Sequence, residues 1–199
     1  MGKRPELAET GKTAERYKFS PSVEQDVLTV IRKILPTTLR ASDAKLEEFY
    51  AKGLNKYKAG QYKEALPYFK LLITAHPKEP RYVMAVAACF HMLKKYTDAA
   101  KLYTASSFLD PENPIPQYHL ADCCIHLNNP IGAFIALEMA LKRCKTSVGH
   151  KALQERIEML LEGMKKDFEE KKKEGFSYFQ SDPEVEKVIK SRLNKKKAA

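Results

Sequence analysis

Three stretches of the chain superpose when displaced by 34 residues, beginning near Leu46, Pro80 and Pro114. A unit recurring at so short a period cannot bury its apolar face alone and must stack on its neighbours. The eighth position of each unit is small (Gly53, Ala87, Ala121), and the twentieth is alanine (Ala65, Ala99, Ala133). Such positions mark where two helix backbones cross too closely for more than a methyl group. Bulky residues recur beside them, Phe49 and Val83 at the fourth position and Phe69, Tyr103 and Leu137 at the twenty-fourth, to fill the space between hairpins. Pro77 and Pro111 end the second helix of the first two units, because proline lacks the amide donor and clashes with the preceding turn. Between the helices lie Gly60-Gln61-Tyr62, Lys94-Lys95-Tyr96 and Asn128-Asn129-Pro130, short turns in which Gly or Asn suits a left-handed residue.

This pattern resembles the tetratricopeptide repeat. The expected fold is all-α, with three tandem helical hairpins (46–79, 80–113 and 114–147) in a repeat region of 42–145. The resemblance implies that they coil into a right-handed superhelix. Lys52 and Lys56 stand where that family favours apolar residues, and Pro130 replaces its turn tyrosine, so the first and third units are expected to pack less regularly.

Ahead of the repeats, residues 1–19 carry no periodicity and read as a disordered segment. Ser20-Pro21-Ser22 then starts an amphipathic helix within 20–41, with Val23, Val27, Val30, Ile31 and Ile34 on one face until Pro36. That face has two candidate destinations, the first repeat or a second copy of the chain in a homodimer. After the repeats, a helix within 146–174 carries Val148, Leu153, Ile157, Leu160, Leu161, Met164 and Phe168 as one apolar stripe, suited to closing the open end of the stack. The extension 175–199 combines Phe176-Ser177-Tyr178-Phe179 with a short helix opened by Asp182-Pro183.

The formal charge of +10 divides as +3, +4 and +3 over residues 1–41, 42–145 and 146–199. Charge spread so thinly lacks the basic stripe of a nucleic-acid binder, and none is expected as a partner. The apolar runs fall short of the roughly 18 residues of a membrane span. No signal-peptide centre appears at the N-terminus, so a cytoplasmic protein is expected. Cys89, Cys123, Cys124 and Cys144 form no paired framework and read as small core residues. His119, Cys123 and His126 could approach one another, but their spacing matches no closed tetrahedral set, and neither metal nor cofactor is expected. No Gly-rich phosphate loop, Ser-His-Asp set or carboxylate pair appears, so the chain does not read as an enzyme.

In stacked helical hairpins the first helix of each pair lines the concave face. Repeat positions two, five, nine and twelve place Glu47, Tyr50, Leu54 and Tyr57 there, followed by Arg81, Met84, Ala88 and His91, then Ile115, Tyr118, Asp122 and Ile125. Tyrosine offers an apolar body with a polar tip and methionine adapts its shape, so the lining suits an extended peptide with apolar anchors. On this reading, truncating Tyr50 and Tyr57 weakens binding and spares the melting transition. Co-chaperones that clamp a C-terminal carboxylate fill with Lys, Arg and Asn the positions held here by Tyr50, Leu54, Ala85, Ile115 and His119, and none of these matches.

The runs Phe49-Tyr50-Ala51-Lys52-Gly53, Gly60-Gln61-Tyr62-Lys63-Glu64-Ala65 and Glu79-Pro80-Arg81-Tyr82, with Asp110-Pro111-Glu112-Asn113-Pro114 and Leu120-Ala121-Asp122-Cys123-Cys124, resemble the class II chaperones of bacterial type III secretion, the LcrH/SycD type. The resemblance runs from about Val23 to Lys145, and the Lys-rich C-terminal extension is similar to the chlamydial branch. It implies that the chain holds hydrophobic, membrane-inserting translocator proteins in the bacterial cytosol before export. A generic repeat scaffold joining folded partners through its convex face is the alternative.

Overall fold

The computed structural model describes residues 42–173; the expected N-terminal helix with Val23, Val27, Val30, Ile31 and Ile34, and the extension 175–199, lie outside the described residues. Within that range the chain forms α1 (Asp43–Lys58), α2 (Tyr62–Ala75), α3 (Pro80–Met92), α4 (Tyr96–Leu109), α5 (Ile115–His126), α6 (Pro130–Thr146) and α7 (Lys151–Lys173), with no strand among the described residues. The first six pair as three hairpins, and packing runs chiefly between successive helices.

The three hairpin turns are copies of one another. Gly60, Lys94 and Asn128, 34 residues apart, all take positive φ (75°, 59° and 55°). In each turn the residue after it donates its amide to a carbonyl five residues back: Gln61 to Lys56 at 2.9 Å, Lys95 to Phe90 at 2.8 Å and Asn129 to Cys124 at 2.8 Å. This closure satisfies carbonyls that the end of a helix leaves without partners. Lysine is the costliest of the three residues in this conformation, yet the period imposes it at Lys94. Pro130 does not disturb the third turn, because it takes the first helical position, where a missing amide hydrogen costs nothing. Asn129 caps α6 by accepting from the Gly132 amide at 2.8 Å.

Small residues at positions eight and twenty are buried in all three units. A Cβ on Gly53 would lie 2.8 Å from Cε1 of Phe69, so the α1–α2 crossing has no room for one. Phe69, Tyr103 and Leu137 are fully buried beside these crossings. Lys52 and Lys56 meet solvent as ion pairs, Lys52 with Glu48 at 2.6 Å and Lys56 with Glu64 of α2 at 2.8 Å, which is how α1 tolerates lysine there.

One core cluster runs from Leu46 of α1 to Cys123 of α5; a second joins Ala121 to α6 and to Ile157 and Leu161 of α7. Leu120 packs against both, so the apolar interior is continuous along the stack. In α7, Leu153, Ile157, Leu161, Met164 and Phe168 cover the end of the third hairpin, with the Phe168 ring 5.7 Å from that of Phe134. Val148 and Leu160 do not belong to this face. Val148 is 99% exposed because α6 continues to Thr146 and the chain then turns through Gly149 (φ 94°) before α7 begins. Leu160 is 39% exposed at the margin of that face, about 60° around the helix from Ile157 at its centre.

Candidate peptide-binding groove

Side-chain contacts tie the first helices of the hairpins to one another. Between α1 and α3, Arg81 pairs with Glu47, which helps hold its guanidinium pKa above the ordinary value. The same guanidinium stands 5.2 Å from the centre of the Tyr50 ring and 4.9 Å from that of Tyr82. Tyr50 is half-buried, its ring centre 5.8 Å from Phe69 and 5.7 Å from Tyr82, so it serves the core as well as the surface. Further along α1, Leu54 is half-buried, and Tyr57 sits edge-on to Tyr62 at 5.2 Å, where burial raises its phenol pKa.

Between α3 and α5 the lining becomes imidazole-rich. Nε2 of His91 lies 2.7 Å from Oδ2 of Asp122, and Nε2 of His126 lies 4.0 Å from the same oxygen. Nδ1 of His91 faces the Tyr103 hydroxyl at 3.4 Å. His126 stacks flat on Tyr96 at 4.2 Å, and His119 stacks on Tyr103 at 5.2 Å. Burial, with His91 beside it, lowers the His119 pKa below the ordinary imidazole value. His119, Cys123 and His126, the trio singled out from sequence spacing, do not gather, since Cys123 is wholly buried in the first core cluster. The set that gathers is His91, Asp122 and His126, whose nearest ligand atoms all lie within 4.8 Å of one another. Sequence reading missed it because position twelve of one unit meets positions nine and thirteen of the next.

The remaining lining residues differ in exposure. Met84 is half-buried and packs on the first core cluster; Ala88 and Ile115 are also half-buried. Tyr118 packs on the second cluster, with the Arg156 guanidinium of α7 at 5.8 Å from its ring centre. Ile125 is 50% exposed, an apolar side chain with half its surface offered to solvent. A cleft lined by Asp43, Leu46, Glu47, His76, Glu79, Arg81 and Tyr82 measures about 170 Å³. That is below the roughly 300 Å³ typical of a small-molecule site and closer to the room one side chain needs. All four thiols are pushed upward in pKa by burial, Cys89 and Cys123 to about 12, which makes them poor nucleophiles. No helix among the described residues is long and apolar enough to cross a membrane.

Residues 58–140 match the family model for subunit 3 of the anaphase-promoting complex, or cyclosome. Among solved structures, the chain is similar to PcrH in complex with the chaperone binding region of PopB, with 30% identity and a TM-score of 0.60 over 62% of this chain and 100% of that one. PcrH from Pseudomonas aeruginosa solved without a named partner gives 28% identity and a TM-score of 0.61, over 63% of this chain and 96% of that one. SycD, a type III secretion translocator chaperone of Yersinia enterocolitica, gives 25% identity and a TM-score of 0.62, over 65% of this chain and 90% of that one. With three repeat hairpins in this order and 30% identity along the whole of PcrH, the chain belongs to the family of class II type III secretion translocator chaperones.

Proposed function

We propose that this chain binds an extended apolar segment of a membrane-inserting translocator protein along α1, α3 and α5, and keeps that client soluble in the bacterial cytosol until export. The observation that carries the reading is the run of aromatic and apolar side chains from Tyr50 to Ile125, in a chain 30% identical to a chaperone solved with its client's binding region. Tyr50, Leu54, Tyr57, Arg81, Met84, Ala88, His91, Tyr118, Asp122 and Ile125 are the proposed contact residues. Binding and release need no catalytic step by the chaperone.

The energetics suit a transient hold. Burying one aliphatic anchor contributes about 1.5 to 3 kcal/mol, whereas ordering a disordered client segment costs about 2 to 5 kcal/mol. Two or three anchors therefore leave a modest net affinity, compatible with handover at the secretion apparatus. The test is co-expression with candidate translocators, scored by client solubility and by the mass of the purified complex. Ile125→Glu, which places a charge on an exposed apolar position, should abolish the complex. Met159→Glu, on an exposed position of α7, should not. A complex indifferent to Ile125→Glu, or capture of folded partners alone, would instead make the chain a repeat scaffold.

A further inference from the structure

We infer that His91, Asp122 and His126 form a binding site for a divalent transition metal of the zinc type, bridging α3 and α5 across the second and third hairpins. Zinc and its neighbours favour two imidazoles and a carboxylate with a fourth position left open, at ligand distances of about 2.0 to 2.2 Å. Tetrahedral geometry at those distances puts ligand atoms about 3.3 to 3.6 Å apart. The separations here straddle that range, 2.7 Å from His91 to Asp122 and 4.0 Å from His126 to Asp122. Asp122 and His126 are four residues apart on one helix, hence on one face, and each side chain is 47% exposed, so both have room to turn toward a common point with His91.

Two surrounding contacts do what outer groups do at metal sites, where a partner on the second ring nitrogen fixes the tautomer and orientation of a ligating histidine. The Tyr103 hydroxyl lies 3.4 Å from Nδ1 of His91, which leaves Nε2 to face Asp122. Tyr96 lies parallel to the His126 imidazole, within 8°, and holds that ring in place. A purely structural His91–Asp122 hydrogen bond would need neither His126 beside it nor that stack.

The test uses the full chain with zinc chloride in calorimetry and cobalt chloride in absorption spectroscopy. One equivalent of zinc should bind and raise the melting temperature. Cobalt should give visible ligand-field bands without the near-ultraviolet charge-transfer band of thiolate ligands. His126→Ala should weaken zinc binding at least 100-fold while the apo protein, losing only the stack on Tyr96, melts no more than about 5 °C lower. Tyr103→Phe should weaken it by about 10-fold. Absence of zinc binding, affinity unchanged by His126→Ala, or a thiolate charge-transfer band would each overturn the assignment.

Discussion

Replacing Tyr50 by alanine separates the two roles that the structure gives this ring. It stands 5.8 Å from Phe69 and 5.7 Å from Tyr82, and under the Arg81 guanidinium at 5.2 Å. Each aromatic pair contributes about 0.5 to 1.5 kcal/mol beyond area burial, and a half-exposed cation–π contact about 0.5 to 1 kcal/mol. Truncating a fully buried aromatic costs about 3 to 5 kcal/mol; for a half-buried one, we expect about 2 to 3 kcal/mol. In a chain of this size that lowers the Tm by roughly 5 to 10 °C. Tyr50→Ala should therefore weaken client capture and also shift a melting curve followed by circular dichroism at 222 nm. Tyr50→Phe, which keeps the ring, should melt within about 2 °C of the parent. A Tyr50→Ala protein that melts like the parent would refute the packing argument and leave Tyr50 a surface residue only.

Gly53→Val should cost about 2 kcal/mol or more in urea unfolding, since its branched Cβ would collide with the immobile Phe69 ring; an unchanged midpoint would show that α1 can move away from α2. Ile157, wholly buried where α7 packs on the third hairpin, should cost about 2 to 5 kcal/mol when replaced by alanine, read by the same titration. His119 gives a pH dependence of definite sign. Its folded pKa lies below the ordinary 6.5, so between the two values the unfolded chain binds more protons and stability falls with acidification. The parent should lose stability as pH drops through 6.5 and level off below the folded value, and His119→Gln should flatten that slope. Cys89 and Cys123 should resist iodoacetamide in the folded protein at pH 8 and react once it is unfolded in guanidinium, as mass spectrometry would show.

The hairpins were legible because their determinants are local and repeated. Glycine or alanine at a helix crossing, proline after a helix and a left-handed residue in a turn each act within a few residues, and the 34-residue period multiplies the signal. What crosses between units was harder to read. Gln117 occupies the fourth position of the third unit, where Phe49 and Val83 stand in the others. The structure buries it, with Nε2 donating to Oγ of Ser107 at 2.7 Å and Oε1 without a protein partner. Sequence periodicity gives no hint that a serine one hairpin earlier waits for that amide. The His91–Asp122–His126 set escaped for the same reason. Val148 was misplaced because apolar spacing does not mark where the turn after α6 stops and α7 begins at Lys151.

The stacking of each helix chiefly on those next to it in the chain also bears on biosynthesis. Every major contact closes over a short stretch of polypeptide, so little loop entropy opposes it. A ribosome adds about 5 to 20 residues per second, so the 33 residues of the α1–α2 hairpin emerge first and each later hairpin finds an earlier one waiting to be stacked upon. Assembly of the stack can thus follow the order of synthesis, each hairpin docking on the one made just before it while the message is still being read.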